Sequence, residues 1–133
     1  MAKGIAVICG AVSGNLEVID IDCKYGIKYE DYADAIKAAN RDLFSRLLII
    51  QTKSNGYHIY YRCEVIEGNQ KLAERPATDD ELHQNPNAKQ FVLIETRGEA
   101  GYVIAPPTDG YSNIQGKDIP VISLDERDLL LTI

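Results

Sequence analysis

No stretch of the 133 residues approaches the ~20 consecutive apolar residues that a membrane-spanning helix needs. The opening MAKGIAVICGAVSG has an apolar run too short for a secretory signal. These two absences point to a soluble, cytoplasmic protein. Positive charge is also scarce: 14 Lys and Arg against 20 Asp and Glu give a formal net charge of -6 and a pI near 4.8. That balance excludes a general basic coat for nucleic acid and leaves room for a local basic groove. The cysteines, Cys9, Cys23 and Cys63, form no C-x-x-C pair. Their odd number in apolar contexts suits reduced, packed thiols better than disulfides or a zinc site. There is no internal repeat and no low-complexity linker. With 45% hydrophobic residues, a chain of this length is expected to form one domain over residues 1–133, burying roughly two thirds of its unfolded surface.

What is present is a succession of short strand patterns and three candidate helices, one of them amphipathic. GIAVIC (4–9) and LEVIDID (16–22) are β-rich runs around the turn residues GAVSGN, a hairpin by pattern. Between Tyr29 and Leu47, apolar Tyr32, Ala35, Ile36, Ala39, Leu43 and Leu47 recur at three- and four-residue intervals, the stripe of one helix. LLIIQT (47–52) and YHIYYRCEV (57–65) are strand candidates joined by the turn KSNG. Residues 66–90 are polar, with Pro76 and Pro86, and read as an insertion carrying one short helix at ATDDELHQ. QFVLIETRG and GYVIAPP return to strand character, and SLDERDLLLTI has the capping-box spacing of Ser123 and Glu126. The fold expected is α+β: a mixed or mostly antiparallel sheet of about six strands with helices largely on one face.

Alternation along LEVIDID places Asp20 and Asp22 on one strand face. Two like charges there repel, and an apolar setting raises the cost of ionising both unless a cation is shared between them. One reading is a divalent-metal site; the other is a strand that ends at residue 20, with both acids solvated beside Gly26. Glu95, in VLIETRG, is a third acid after an apolar run, with Arg97 on the same face. It either completes a metal site or pairs with Arg97. His58 follows a turn, Ser54-Asn55-Gly56, able to present N–H groups to phosphate oxygens, and shares a face with Tyr60 and Arg62.

Taken in order, SGNLEVIDID, QTKSNGYHIYYR and VLIETRGEAGYVIAPPTDGY resemble the primase-polymerase (prim-pol) domain of the archaeo-eukaryotic primase superfamily, found at the N-termini of phage and plasmid replication proteins. The resemblance covers roughly residues 4–112. It implies that Asp20 and Asp22 form a D-h-D metal-binding pair and that Glu95 is the third catalytic acid. Together these would hold two Mg²⁺ or Mn²⁺ ions, while His58 contacts the incoming nucleotide. Ser54, Lys53 and Arg97 are candidates for further phosphate contacts. Ala100 stands where relatives tend to have glycine, the replacement of a turn glycine by Asn55 is a mild departure, and the larger departure is at the ends of the chain.

The implied activity is divalent-metal-dependent nucleotidyl transfer from nucleoside triphosphates, a DNA primase/polymerase reaction in phage, plasmid or mobile-element replication. DNA template and primer would be partners, held weakly and salt-sensitively by this chain. Family members usually carry an additional α/β module before the first hairpin, so the chain is expected to be part of a longer replication protein with a helicase or DNA-binding region. Two other classes remain open: a non-catalytic nucleotide- or partner-binding module, and a metal-dependent nuclease, since carboxylates around two ions also suit hydrolysis.

Overall fold

The computed structural model describes residues 4–133. In chain order these form β1 (Ile5–Ile8), β2 (Leu16–Ile21), α1 (Tyr29–Ala39), α2 (Arg41–Arg46), β3 (Leu48–Gln51), β4 (Tyr57–Arg62), β5 (Lys71–Pro76), α3 (Asp79–Gln84), β6 (Gln90–Arg97), β7 (Tyr102–Ala105), β8 (Ser112–Gln115) and α4 (Leu124–Thr132). Six strands make one antiparallel sheet in the order β5-β6-β2-β4-β3-β8, and β1 pairs only with β7 in a separate two-stranded ribbon. The architecture is α+β, as the strand and helix patterns predict. Among the described residues no helix is long and apolar enough to cross a membrane.

β2 lies inside the sheet, and its near-continuous apolar sequence follows from burial on both faces. On one face Ile19 and Ile21 join Ile49, Ile59 and Tyr61 in packing against Tyr32 and Ile36 of α1, Leu43 and Phe44 of α2, and Leu130 of α4. On the other, Leu16 and Val18 join Leu48, Ile50 and Tyr60 in a smaller core that includes Cys9 and Val103 of the ribbon segment. The ribbon covers only part of that second face. The uncovered part, at the end of β2, is where Asp20 and Asp22 project.

A buried polar network ties α4 to the sheet. Arg127 donates from Nε and Nη2 to the two carboxylate oxygens of Glu17 at 2.8 and 3.0 Å, and the Tyr61 hydroxyl donates to the same carboxylate. Glu17 is fully buried, so its charge is tolerated only because three donors meet it. Burial and the Glu17 charge both push the Tyr61 phenol pKa well up.

Three local expectations are corrected, and one strand comes in addition. The expected single helix breaks at Asn40, which adopts an extended conformation and uses its side chain to accept from Leu43 N at 3.0 Å, capping α2. The expected β1–β2 hairpin is reduced to one bridge, Gly10 to Leu16. Gly10 has φ +94°, a turn open chiefly to glycine, and it diverts β1 towards β7. The polar 66–90 segment is more than an insertion, because β5 within it pairs with β6 and forms one edge of the sheet. The short strand β8, unmarked by any apolar run, forms the other edge.

Candidate active site

The antiparallel register sets Asp20 of β2 directly opposite His58 of β4 on one side and Glu95 of β6 on the other. Directly opposed residues share a face, so the three side chains form one row across three strands. Asp22 continues the Asp20 face one step beyond the end of β2. It caps the following turn, accepting from Lys24 N at 3.1 Å, with Lys24 Nζ 3.7 Å from its other oxygen. The acids are a quarter to a third exposed: 26% for the Asp20 side chain and 32% for Asp22.

His58 is buried, with 8% of its side chain exposed. Its Nε2 stands 3.5 Å from Asp20 Oδ1, and its Nδ1 has no partner among the described residues. A buried ring nitrogen without a partner costs free energy. Glu95 is paired with Arg97, whose Nη2 lies 2.5 Å from Oε1. Of the two readings of Glu95, the ion pair is the arrangement observed.

Three hollows meet at Asp20. One, about 250 Å³, is lined by Asp20, His58, Arg97, Tyr102 and Tyr111 among others. A second, about 140 Å³, runs from Asp20, Asp22 and His58 to Lys24, Ser54 and Gly56. A third, about 350 Å³, lies on the opposite side of Asp20 with Asp22, Glu95, Arg97, Tyr25 and Phe91. Asp20 is common to all three, and His58 and Tyr111 to the first two.

The β3–β4 turn is held by Thr52, whose N–H donates to Gly56 O at 2.9 Å and whose hydroxyl accepts from Gly56 N at 3.0 Å. Those bonds close the turn over Lys53, Ser54 and Asn55. Asn55 takes φ +60°, a conformation asparagine tolerates. Gly56 seats the turn against β2: a Cβ there would come within 2.6 Å of Ile21 O. Ser54 thereby joins the site, whereas Lys53 is exposed, lies against Gly110 and lines none of the three hollows.

The donor set at Asp20, Asp22 and Glu95 is carboxylate oxygen, the chemistry that hard ions such as Mg²⁺ and Mn²⁺ prefer. As the side chains stand, no three His, Cys, Asp or Glu residues converge on one point among the described residues. The donor chemistry of Asp20 and Asp22 suits a divalent ion, and Arg97 engages one of the two carboxylate oxygens of Glu95, Oε1.

Sequence patterns did not single out Lys24, Tyr25, Phe91, Tyr102 or Tyr111. Lys24 and Tyr25 follow Asp22 within DCKYG, but nothing in that spacing says that the chain turns back towards the acids. Burial pushes the Cys9 thiol, beneath this face, up to about 11 and the Tyr60 phenol up to about 12. Both are therefore neutral parts of the floor.

The family model for the N-terminal domain of bifunctional DNA primase/polymerase proteins matches residues 1–122. Among curated proteins, none matches the chain.

Proposed function

The chain belongs to the family of bifunctional DNA primase/polymerase N-terminal domains, and on that premise we propose that the Asp20 site binds a nucleoside triphosphate and catalyses nucleotidyl transfer to a DNA 3′-hydroxyl. The observation that carries this reading is the cross-strand row of Glu95, Asp20 and His58 at the meeting point of three hollows. Such a row sets acids against a fixed imidazole without any loop having to close.

Divalent ions, held by Asp20 and Asp22 with Glu95 available as a third ligand, would supply activation of the attacking hydroxyl and charge neutralisation on the departing pyrophosphate. In the reaction the 3′-oxygen bonds to the α-phosphorus, the α–β bridging bond breaks, pyrophosphate leaves, and the hydroxyl proton passes to water. The chain's own groups orient the triphosphate. The His58 ring, the Ser54 hydroxyl and the N–H groups of the β3–β4 turn meet phosphate oxygens, and Lys24 and Arg97 balance charge at either side. An acidic protein can do this because these cations are local to the site.

Titration calorimetry of a nucleoside triphosphate with Mn²⁺, repeated with Asp20→Asn/Asp22→Asn, tests the reading. Binding that disappears in the double variant, together with primer extension by the wild type, is the expected result. A folded protein that binds no triphosphate in the presence of Mn²⁺ overturns it. The engagement of Glu95 by Arg97 favours a second reading, a nucleotide-binding module without turnover. That reading predicts metal-insensitive binding and neither extension nor shortening of a primer; shortening would indicate a nuclease.

A further inference from the structure

The third hollow has a wall that nucleotide binding at His58 does not use. Tyr25, in the turn after Asp22, and Phe91 of β6 both line it, with ring centroids 4.5 Å apart and planes tilted by 34°. Phe91 lies four residues before Glu95 in the same strand, so alternation points both into the hollow. The Arg75 guanidinium is 4.9 Å from the Phe91 centroid and 5.9 Å from that of Tyr25. Arg75 does not line the hollow. Its Nη1 and Nη2 donate to Glu81 at 2.8 and 3.0 Å and its Nε donates to Tyr25 O at 2.7 Å, so it is fixed as a brace behind the rings. Lys24 Nζ stands 5.6 Å from the Tyr25 centroid and lines the second hollow beside Asp22.

We infer that Tyr25 and Phe91 form a stacking platform for the 3′-terminal nucleobase of a single-stranded DNA acceptor. The inference rests on the nucleotidyl-transfer reading above, because that reaction dictates where the acceptor must lie. In-line displacement sets the attacking and leaving oxygens on opposite sides of the phosphorus. With the triphosphate on the His58 and Ser54 side of Asp20, the attacking hydroxyl must approach from the other side, which is this hollow. A half-buried aromatic pair with cations close to its rings is the arrangement that holds unpaired bases by stacking while tolerating any base identity. Its position beside the acids orients a terminal base rather than an internal one.

The test uses a single-stranded oligonucleotide carrying 2-aminopurine, whose fluorescence stacking quenches, as its 3′-terminal base. A second oligonucleotide carries it at the 5′ end. The wild type is expected to quench the 3′ label and spare the 5′ label. Phe91→Leu and Tyr25→Leu, checked by thermal melting, each lose the quenching and weaken binding by about tenfold or more, and Phe91→Tyr retains both. Triphosphate titration remains unchanged in these variants. Equal quenching of both labels by the wild type overturns the inference without recourse to any variant, as does quenching untouched by both leucine substitutions. A wild type that binds no triphosphate but quenches the 3′ label in a Phe91-dependent way keeps the platform and sinks the transfer reading instead.

Discussion

His58 faces Asp20 across the β2–β4 pair with Nε2 3.5 Å from Oδ1, and its second ring nitrogen is buried without a partner among the described residues. The row thus holds an imidazole with one ring nitrogen set beside Asp20 and the other turned into the interior. His58→Ala is expected to weaken Mn²⁺-dependent triphosphate binding by about tenfold or more, the loss of a hydrogen bond to a charged group at about 1.5–3 kcal/mol. Calorimetric titration reads this. A melting temperature at or above that of the wild type would show that the histidine serves the ligand rather than the fold.

The buried Glu17–Arg127 pair behaves differently. Arg127→Met leaves Glu17 uncompensated in the core and is expected to cost about 3–5 kcal/mol, whereas Glu17→Leu/Arg127→Met together cost far less. Urea unfolding of the two variants measures the difference. Equal losses would mean that packing, not charge, dominates the site.

Ala100 has φ +67°. A left-handed alanine costs roughly 1–2 kcal/mol and a glycine next to nothing, while glycine gives back part of that gain as unfolded-chain entropy. Ala100→Gly is therefore expected to stabilise by about 0.5–1 kcal/mol on these magnitudes. Asn55→Gly, at φ +60° in a residue suited to that region, should be close to neutral. Chemical denaturation of both separates them.

Hydrogen bonds from the Arg75 guanidinium, then from the Thr78 N–H, hold the Glu81 carboxyl down at about 2, below the ordinary 4.5. A folded-state pKa below the unfolded one contributes stability above the unfolded value, lost as pH falls through the folded value. The melting-temperature advantage of wild type over Glu81→Gln is expected to be full above pH 4.5 and to vanish as pH drops towards 2. A difference that stays constant across that window would show that the pair is held by packing.

The most legible part of the site is the part that depends on neighbours in sequence. The period of two along LEVIDID put Asp20 and Asp22 on one face, and the turn before His58 is where Ser54, Asn55 and Gly56 require it. The motif order was sufficient to indicate the family. Capping at Ser123 was readable because its partner Glu126 is three residues away. The break at Asn40 was not, since the apolar stripe runs on through Leu43 and hides an extended residue.

By itself, then, the sequence determined element types, the face each acid takes and the chemistry available to it, because these follow from backbone geometry over a few residues. Tertiary structure decided what each acid meets. Strand propensity in β1 is equally compatible with β2 or β7 as partner, and only the bend at Gly10 and burial against the ribbon core select β7. The closure of Glu17 on Arg127 and the meeting of Tyr25 with Phe91 likewise depend on packing between side chains. Such contacts carry no local periodicity. They emerge only when the sheet order brings distant segments together and burial penalises every charge left without a partner.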